Sequence, residues 1–349
     1  MAAAVRITAV LTVRNEGAFL LEWLAHHRAC GVTDFLVFSN DCDDGTDAML
    51  DRLAELGWLT HLRNPGPHPE GPQWAALKLA DKHPLVREAD WLLPLDIDEF
   101  VNVHVGDRTI PALLAALPEA TAITLTWRLF GNAGVVEFTD VPVTETFTKA
   151  APAELYWPWR ALLFKTLVRN DGSYAKLGVH RPRSPDAERM AGQRWFDGSG
   201  RVLPASFHTK RIFSNVGRDP YALVQLNHYP LGAVQSFVLK RDRGRAVHAD
   251  GGLDAGYWVE RNFNAVEDRS IQALDSRNVR AALHEDPVLG PLHHAAVAWR
   301  HQRFRALMQD DAWRSFYGQL LMAGPTRVLE RSEAESIWKP HIGSDRTKD

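Results

Sequence analysis

The sequence is poor in cysteine, in net charge and in long apolar runs, and each shortage excludes a class of protein. Cys30 and Cys42 are the two cysteines in 349 residues. They cannot build a disulfide framework and are not placed as a nucleophile or zinc pair, so a reducing compartment is expected. Forty Lys and Arg against 43 Asp and Glu leave a formal charge of −3 with His neutral. That balance argues against the basic face of a dedicated nucleic-acid binder. The longest apolar runs, such as Ile7–Val13, fall far short of the ~20 residues that span a bilayer. Met1-Ala2-Ala3-Ala4-Val5-Arg6 leads into a strand pattern without the basic-then-apolar order of a secretory signal. No Gly-x-Gly-x-x-Gly follows the first strand and no Walker A loop occurs, so both phosphate-cradling fingerprints are missing.

What is present is a globular composition, 45% hydrophobic and 24% charged, with twelve tryptophans. At ~150 residues per domain the chain is one large domain or two packed ones. Val5–Val13, Asp34–Ser39, Trp58–Leu62, Trp91–Leu95 and Ala122–Trp127 read as strands. Glu16–Ala29, Thr46–Leu56 and Gln73–Lys82 read as helices between them. Such alternation predicts βαβ units and a mostly parallel sheet, an α/β fold. Beyond about Gly131 the rhythm changes. Val135–Lys149 alternates like an antiparallel ribbon, Ala161–Val168 and Leu223–His228 read as strands, and a helix follows to about Gly244. Arg181–Pro204 reads as a long loop, Tyr257–Met322 as mainly helical, and the chain from about Pro325 as a polar, frayed tail.

The sharpest chemical signal is the apolar strand Trp91–Leu95 emptying into Asp96-Ile97-Asp98-Glu99-Phe100. In an open parallel sheet, ligands bind beyond the carboxyl ends of the strands. Paired carboxylates there attract a hard divalent cation, which can neutralise a diphosphate leaving group. The plainer reading is an acidic, solvated turn. The same edge collects Arg14-Asn15-Glu16 after the first strand and Asn40-Asp41-Cys42-Asp43-Asp44-Gly45-Thr46 after the second. Short polar side chains there pair with a nucleobase edge and ribose hydroxyls, although each segment by itself reads as a cap or Asx-turn. Lys240 and Arg243, three apart on a predicted helix, share a face that reaches a diphosphate or is simply solvated.

Together these segments resemble family 2-like glycosyltransferases of the GT-A fold, nearest to the branch related to the family 92 galactosyltransferases. Trp127-Arg128-Leu129-Phe130-Gly131, Asn227-His228-Tyr229 and Ser236-Phe237 extend the likeness, which covers roughly Ile7 to Gly244. It continues more loosely through Arg261-Asn262-x-Asn264 and Asp268-x-Ser270. The resemblance implies a Rossmann-like, mostly parallel sheet with an antiparallel acceptor-side ribbon and a helical C-terminal region. Residues 1–250 would form the GT-A domain, divided at 130 into nucleotide-sugar and acceptor halves, with 251–324 a helical extension and 325–349 a tail.

The resemblance also implies a nucleotide-sugar donor, a UDP-sugar, with Mn2+ or Mg2+ as cofactor. Transfer, with inversion, would go to a hydroxyl of a saccharide or glycolipid precursor in polysaccharide biosynthesis. The metal site would comprise Asp98, Asp96 (on ribose or a metal-bound water) and His228, with His180 and His208 as rivals of the histidine. Substrate would be bound by Asn15, Glu16, Asn40, Asp41, Asp44, Gln73, Lys78, Asp96, Trp127, Lys240 and Arg243. For the base that deprotonates the acceptor, Glu137, Asp242 and Asp268 lie in suitable regions, and Asp268 echoes the Glu-Asp pair of inverting enzymes. Tyr156-Trp157-Pro158-Trp159 would stack on acceptor sugar rings, with Trp74, Trp127, Trp195 and Trp258 as further contributors, although most tryptophans are packing residues.

Other classes compete. A phosphatase using Asp96 is weakened by Phe100, which stands where the haloacid dehalogenase type usually places Thr or Val. A nucleotidyltransferase usually opens with a Gly-rich loop, which Arg14-Asn15-Glu16-Gly17 does not supply. A non-catalytic sugar-binding protein on the same fold has no need of a metal site. The expected setting is cytoplasmic, with peripheral association to the inner face of the membrane left open and no nucleic-acid partner.

Overall fold

The apolar runs of the first half pair as their composition requires. In a computed structural model, which describes residues 5–244 and 253–344, β1 (Ile7–Val13), β2 (Asp34–Ser39), β3 (Thr60–Arg63) and β4 (Trp91–Leu95) run parallel in the order β3-β2-β1-β4. β1 is flanked on both sides and almost wholly buried, which suits its Ile-Thr-Ala-Val-Leu run. The main crossover helices are α1 (Gly17–Ala29), α2 (Thr46–Glu55) and α3 (Pro72–Ala80). Chain order reverses at β1, so a crevice opens at the carboxyl ends of these strands. Asn15, Asn40, Asn64 and Asp96 all stand on that edge.

β5 (Glu99–Val103), β6 (Ala122–Leu129), β7 (Phe164–Arg169), β8 (Trp195–Asp197) and β9 (Val224–His228) complete the sheet. Its path continues β4-β7-β6-β9-β5, with β8 attached to β6. β7 is antiparallel to β4 and β6, and β5 to β9, while β9 and β8 run parallel to β6. The expected α/β architecture with a mostly parallel sheet is therefore present. β5 is an addition: where a solvated acidic turn was the plain reading, every residue from Glu99 to Val103 is buried. Two histidines of α1 hold it, His26 Nε2 donating to the Val101 carbonyl at 2.8 Å and His27 Nε2 accepting the Val101 N–H at 3.3 Å.

The ribbon expected over Val135–Lys149 is corrected. The segment is a loop with one helical turn, Val143–Thr146, and a two-residue strand, Lys149–Ala150, paired with Val266–Glu267. The cause is Glu22 of α1, whose carboxylate accepts the N–H groups of Val143 at 2.7 Å and Thr144 at 3.0 Å. Those donors need no partner strand. Its alternating apolar residues line a cleft instead.

α4 (Val234–Arg243) follows β9, and α5 (Arg277–Glu285), α6 (Leu289–Leu307), α7 (Asp311–Met322) and α8 (Arg331–Ser344) form the C-terminal region. α8 occupies the stretch read as a frayed tail. Leu283 and Leu289 share one core with Trp23 and Leu24, so α5 and α6 are built onto the sheet domain. Gly17 permits the approach, since a Cβ there would stand 2.8 Å from the Ala296 Cβ of α6. The expected boundary near residue 250 lies outside the described residues. Among the described residues no helix is long and apolar enough to cross a membrane.

Candidate functional site

β4 delivers Asp96 and Asp98 to the crevice in the turn before β5, and each aspartate meets a lysine from a distant element. Asp96 accepts Lys165 Nζ of β7 at 2.9 Å on Oδ2 and Gln73 Nε2 of α3 at 2.7 Å on Oδ1. Asp98 accepts Lys240 Nζ of α4 at 2.6 Å, and His228 Nε2 stands 3.6 Å from the same oxygen. Beneath them lies Glu99, fully buried, which accepts the Asp96 N–H at 2.8 Å and Trp127 Nε1 at 2.6 Å. The Trp127 ring packs on His228 with centroids 4.2 Å apart.

The charge states follow from burial and partners. Burial pushes Asp98 up, but Lys240 and His228 outweigh it and hold the carboxyl well below the usual carboxylate range. Burial and the neighbouring Asp96 and Asp98 push Glu99 up against the pull of Lys165. Lys165 and Lys240 are both held above the ordinary lysine value because their carboxylates outweigh desolvation. His228 is lowered by burial, against Asp98, and so presents a neutral imidazole. The centre thus carries an ionised Asp98, two ammonium groups and a neutral histidine.

Among the described residues no three His, Cys, Asp or Glu side chains converge as a closed metal cage. Asp96 faces the same crevice with each oxygen already accepting one hydrogen bond, from Gln73 and from Lys165. Asp98 and His228 fit, as an ionised carboxylate and a neutral imidazole on one side of the turn, with His228 Nδ1 buried and unpartnered among the described residues. Two protein donors leave positions that a diphosphate and water can fill.

From Asp98 a cleft of about 870 Å³, counting its open mouth, runs between the sheet edge and α6. Asn15, Glu16, Lys240 and Arg243 stand at the end near Asp98; Phe19, Val135, Phe138, Val141 and Val143 line the remainder, and Trp299 and Arg300 come from α6. Glu16 is ion-paired with Arg243, whose guanidinium is pushed down to about 10 by burial and by its neighbours Arg300 and Arg14.

The glycosyltransferase family 92 model matches residues 10–184, which carry β1 through β7 and the Asp96-x-Asp98 turn. The chain belongs to glycosyltransferase family 92. It is similar to a family 92 protein of Oryza sativa subsp. japonica, 24% identical over 140 residues, 39% of this chain and 23% of that protein. To one of Ricinus communis it is 26% identical over 99 residues, 27% of this chain and 16% of that protein. The matched stretches therefore span less than a quarter of those relatives' lengths. A UDP complex of S. aureus TarS is similar at a TM-score of 0.34, with 15% identity, 67% of this chain and 64% of that one.

In this family 92 chain the residues read from sequence divide into three groups. Asp96, Asp98, Gln73, Trp127, His228, Lys240, Arg243, Glu16 and Asn15 come together at the centre or along its cleft. Asn40, Asp41 and Asp44 stand on the crevice edge but also build its loops. Asn40 accepts Asn64 Nδ2 at 2.6 Å, Asp41 the Gly66 N–H at 3.1 Å, and Asp44 the Gly17 N–H at 2.9 Å. Lys78 is corrected: it points to the surface and pairs with Glu70. Asp268 is corrected as well. It accepts Gln225 Nε2 at 2.9 Å and the Ser270 hydroxyl at 2.6 Å. Gln225 and His228 are three apart on β9, so alternation places them on opposite faces, and Asp268 lies across the sheet from Asp98.

His180 donates its Nδ1–H to the Phe164 carbonyl at 3.0 Å and packs on Trp127 with centroids 5.7 Å apart, beside the centre, whereas His208 packs beside Trp195. Trp195 and Trp258 are fully buried, Trp74 lies under the Arg183 guanidinium, and Trp159 packs on Phe213. None of these, nor Tyr156 or Trp157, lines the cleft; Trp299 does. Sequence reading missed Lys165, Glu99 and Arg300. A lone Lys in the apolar run Leu162-Leu163-Phe164-Lys165-Thr166-Leu167-Val168 was the signal available, because a buried ammonium demands a carboxylate.

Proposed function

We propose that this protein is a metal-dependent glycosyltransferase that moves a sugar from a UDP-sugar to a hydroxyl of a saccharide or glycolipid acceptor, with inversion. The observation that carries it is the pairing of Asp98 with His228 and Lys240 at the open edge of a family 92 sheet, with Asp96 fixed by Gln73 and Lys165.

In this reading Asp98 and His228 hold Mn2+ or Mg2+, which supplies a positive charge that stabilises the departing diphosphate. Lys240 donates to the Asp98 oxygen that a cation would use, and its ammonium would add positive charge beside the diphosphate. Arg243, on the same face of α4, adds positive charge beside Glu16. Asp96, with both oxygens fixed, orients the turn and offers its outer edge to the ribose. Inversion requires a base on the acceptor side. Asp268 lies across the sheet, and Asp242 is tied to Arg303 by two bonds of 2.7 and 2.8 Å. Of the cleft carboxylates, Asp98 and Glu16 are ion-paired, whereas Glu137 makes no ion pair among the described residues. Glu137 is the base in this reading.

Thermal unfolding with UDP, GDP, CDP and ADP, each with and without Mn2+, tests the proposal. A ligand at 100 times its dissociation constant adds about 2.7 kcal/mol of stability. Stabilisation by UDP that depends on Mn2+ is expected. No shift with any nucleotide contradicts it.

A further inference from the structure

Arg300 is 95% buried in the cleft wall, yet it forms no ion pair among the described residues. Its relative exposure is 5%, and its Nε is buried without a partner. The other two cations of the wall are compensated, Lys240 by Asp98 and Arg243 by Glu16. The guanidinium packs against an edge-to-face pair of phenyl rings, with Cζ 4.5 Å from the centre of Phe19 and 4.7 Å from that of Phe138. These cation–π contacts hold the group in place without supplying an acceptor for its N–H donors. Burial pushes the group down to about 10, with Asp44 pulling the other way, so it remains cationic at neutral pH. A buried charge that Asp44 reaches only through space, with no ion-pair contact, is costly in a largely apolar wall and favours a ligand that brings an anion to it.

We propose that the cleft binds an acceptor carrying an oxyanion, phosphate or carboxylate, next to an apolar group, and that Arg300 recognises the oxyanion. The guanidinium edge suits a bidentate contact with either group. Phe19, Val135, Phe138, Val141, Val143 and Trp299 provide the apolar surface beside it. Calling the ligand an acceptor rests on the glycosyl-transfer reading above; the need for an anion does not. The donor's diphosphate is the rival source of the charge. Against it, Lys240 and Arg243 already stand for that charge at the Asp98 end of the cleft, whereas Arg300 packs against Phe19 and Phe138 in its apolar remainder.

The test is calorimetric titration of the full chain, saturated with UDP and Mn2+, with n-octyl phosphate below its micellar concentration and n-octyl glucoside as the neutral control. Octyl phosphate is expected to bind at least tenfold more tightly than octyl glucoside. Arg300→Gln should remove that difference while UDP affinity stays within twofold. Arg300→Lys keeps the charge without the fork and should retain part of the preference, which preserves the test if the glutamine variant unfolds. Equal binding of the two amphiphiles, or binding of neither, overturns the proposal. Weaker UDP binding in both variants with octyl phosphate unchanged also overturns it, by assigning Arg300 to the donor. Octyl phosphate binding by protein that binds no UDP upholds the anion site and overturns the glycosyl-transfer reading instead.

Discussion

The Nζ of Lys165, a residue with no solvent exposure, donates to Oδ2 of Asp96 at 2.9 Å and stands 3.5 Å from Oε2 of Glu99. β7 thereby fixes the Asp-x-Asp turn from below. Removing one partner of a buried ionic cluster leaves the others uncompensated, at a cost of about 3–5 kcal/mol. Lys165→Met should lose stability on that scale in urea unfolding and should weaken UDP binding. A variant within about 0.5 kcal/mol of the wild type, a change ordinary for surface sites, would show that the cluster does not hold the turn.

The α1–β5 junction predicts an acid limit to stability. Burial lowers His26 from 6.5 to about 4 and lowers His27 well below its ordinary value. His27 Nδ1 donates to the Trp23 carbonyl at 2.9 Å while its Nε2 accepts the Val101 N–H, a pattern that only the neutral ring satisfies. The unfolded chain binds these protons below about pH 6.5 and the folded protein does not. Stability is therefore fully present above that pH and falls as the pH drops toward 4, by on the order of 3 kcal/mol for His26. Urea midpoints at pH 7.0, 5.5 and 4.5 should decline in that order, and the decline should shrink in His26→Asn. An unchanged decline in that variant would assign the acid sensitivity elsewhere.

Glu137 and Asp268 separate by different measurements. Loss of a general base lowers turnover by roughly 10²–10⁴, so Glu137→Gln should show that loss with UDP affinity unchanged. Asp268→Asn should instead lose about 1–2 kcal/mol, as expected when a buried hydrogen-bond network is weakened, and keep its turnover below the melting temperature. The reverse outcome, a dead but stable Asp268→Asn beside an active Glu137→Gln, would return the base to Asp268.

The parallel half of the sheet and the Asp-x-Asp turn were legible because they are local. Ile7–Val13, Asp34–Ser39 and Trp91–Leu95 carry their strand character in their own composition, and Asp96 and Asp98 follow directly from the last of them. His228 was reached through a resemblance and Lys240 and Arg243 through their helical spacing, and the places of all three depend on β9 and α4 meeting the turn. Lys165 was hidden because the partner that explains it is 69 residues away on an antiparallel neighbour. Arg300 was hidden in Trp299-Arg300-His301-Gln302-Arg303, a run that reads as a solvated basic face until the guanidinium is seen packed against Phe19 and Phe138. Val135–Lys149 misled because its alternation serves a cleft wall, with Glu22 of α1 supplying the acceptors that a second strand would have offered.

The measurement that tests the central claim most directly is release of UDP from a panel of UDP-sugars in the presence of Mn2+, comparing the wild type with Asp98→Asn. Asp98 anchors Lys240 and faces His228, so in the proposed reading its carboxylate is the group on which cation and diphosphate would both depend. The account predicts release from at least one donor by the wild type, falling about a hundredfold or more in Asp98→Asn, as the loss of about 3 kcal/mol of transition-state stabilisation requires. Wild-type rates in Asp98→Asn, at saturating donor and metal, would contradict it.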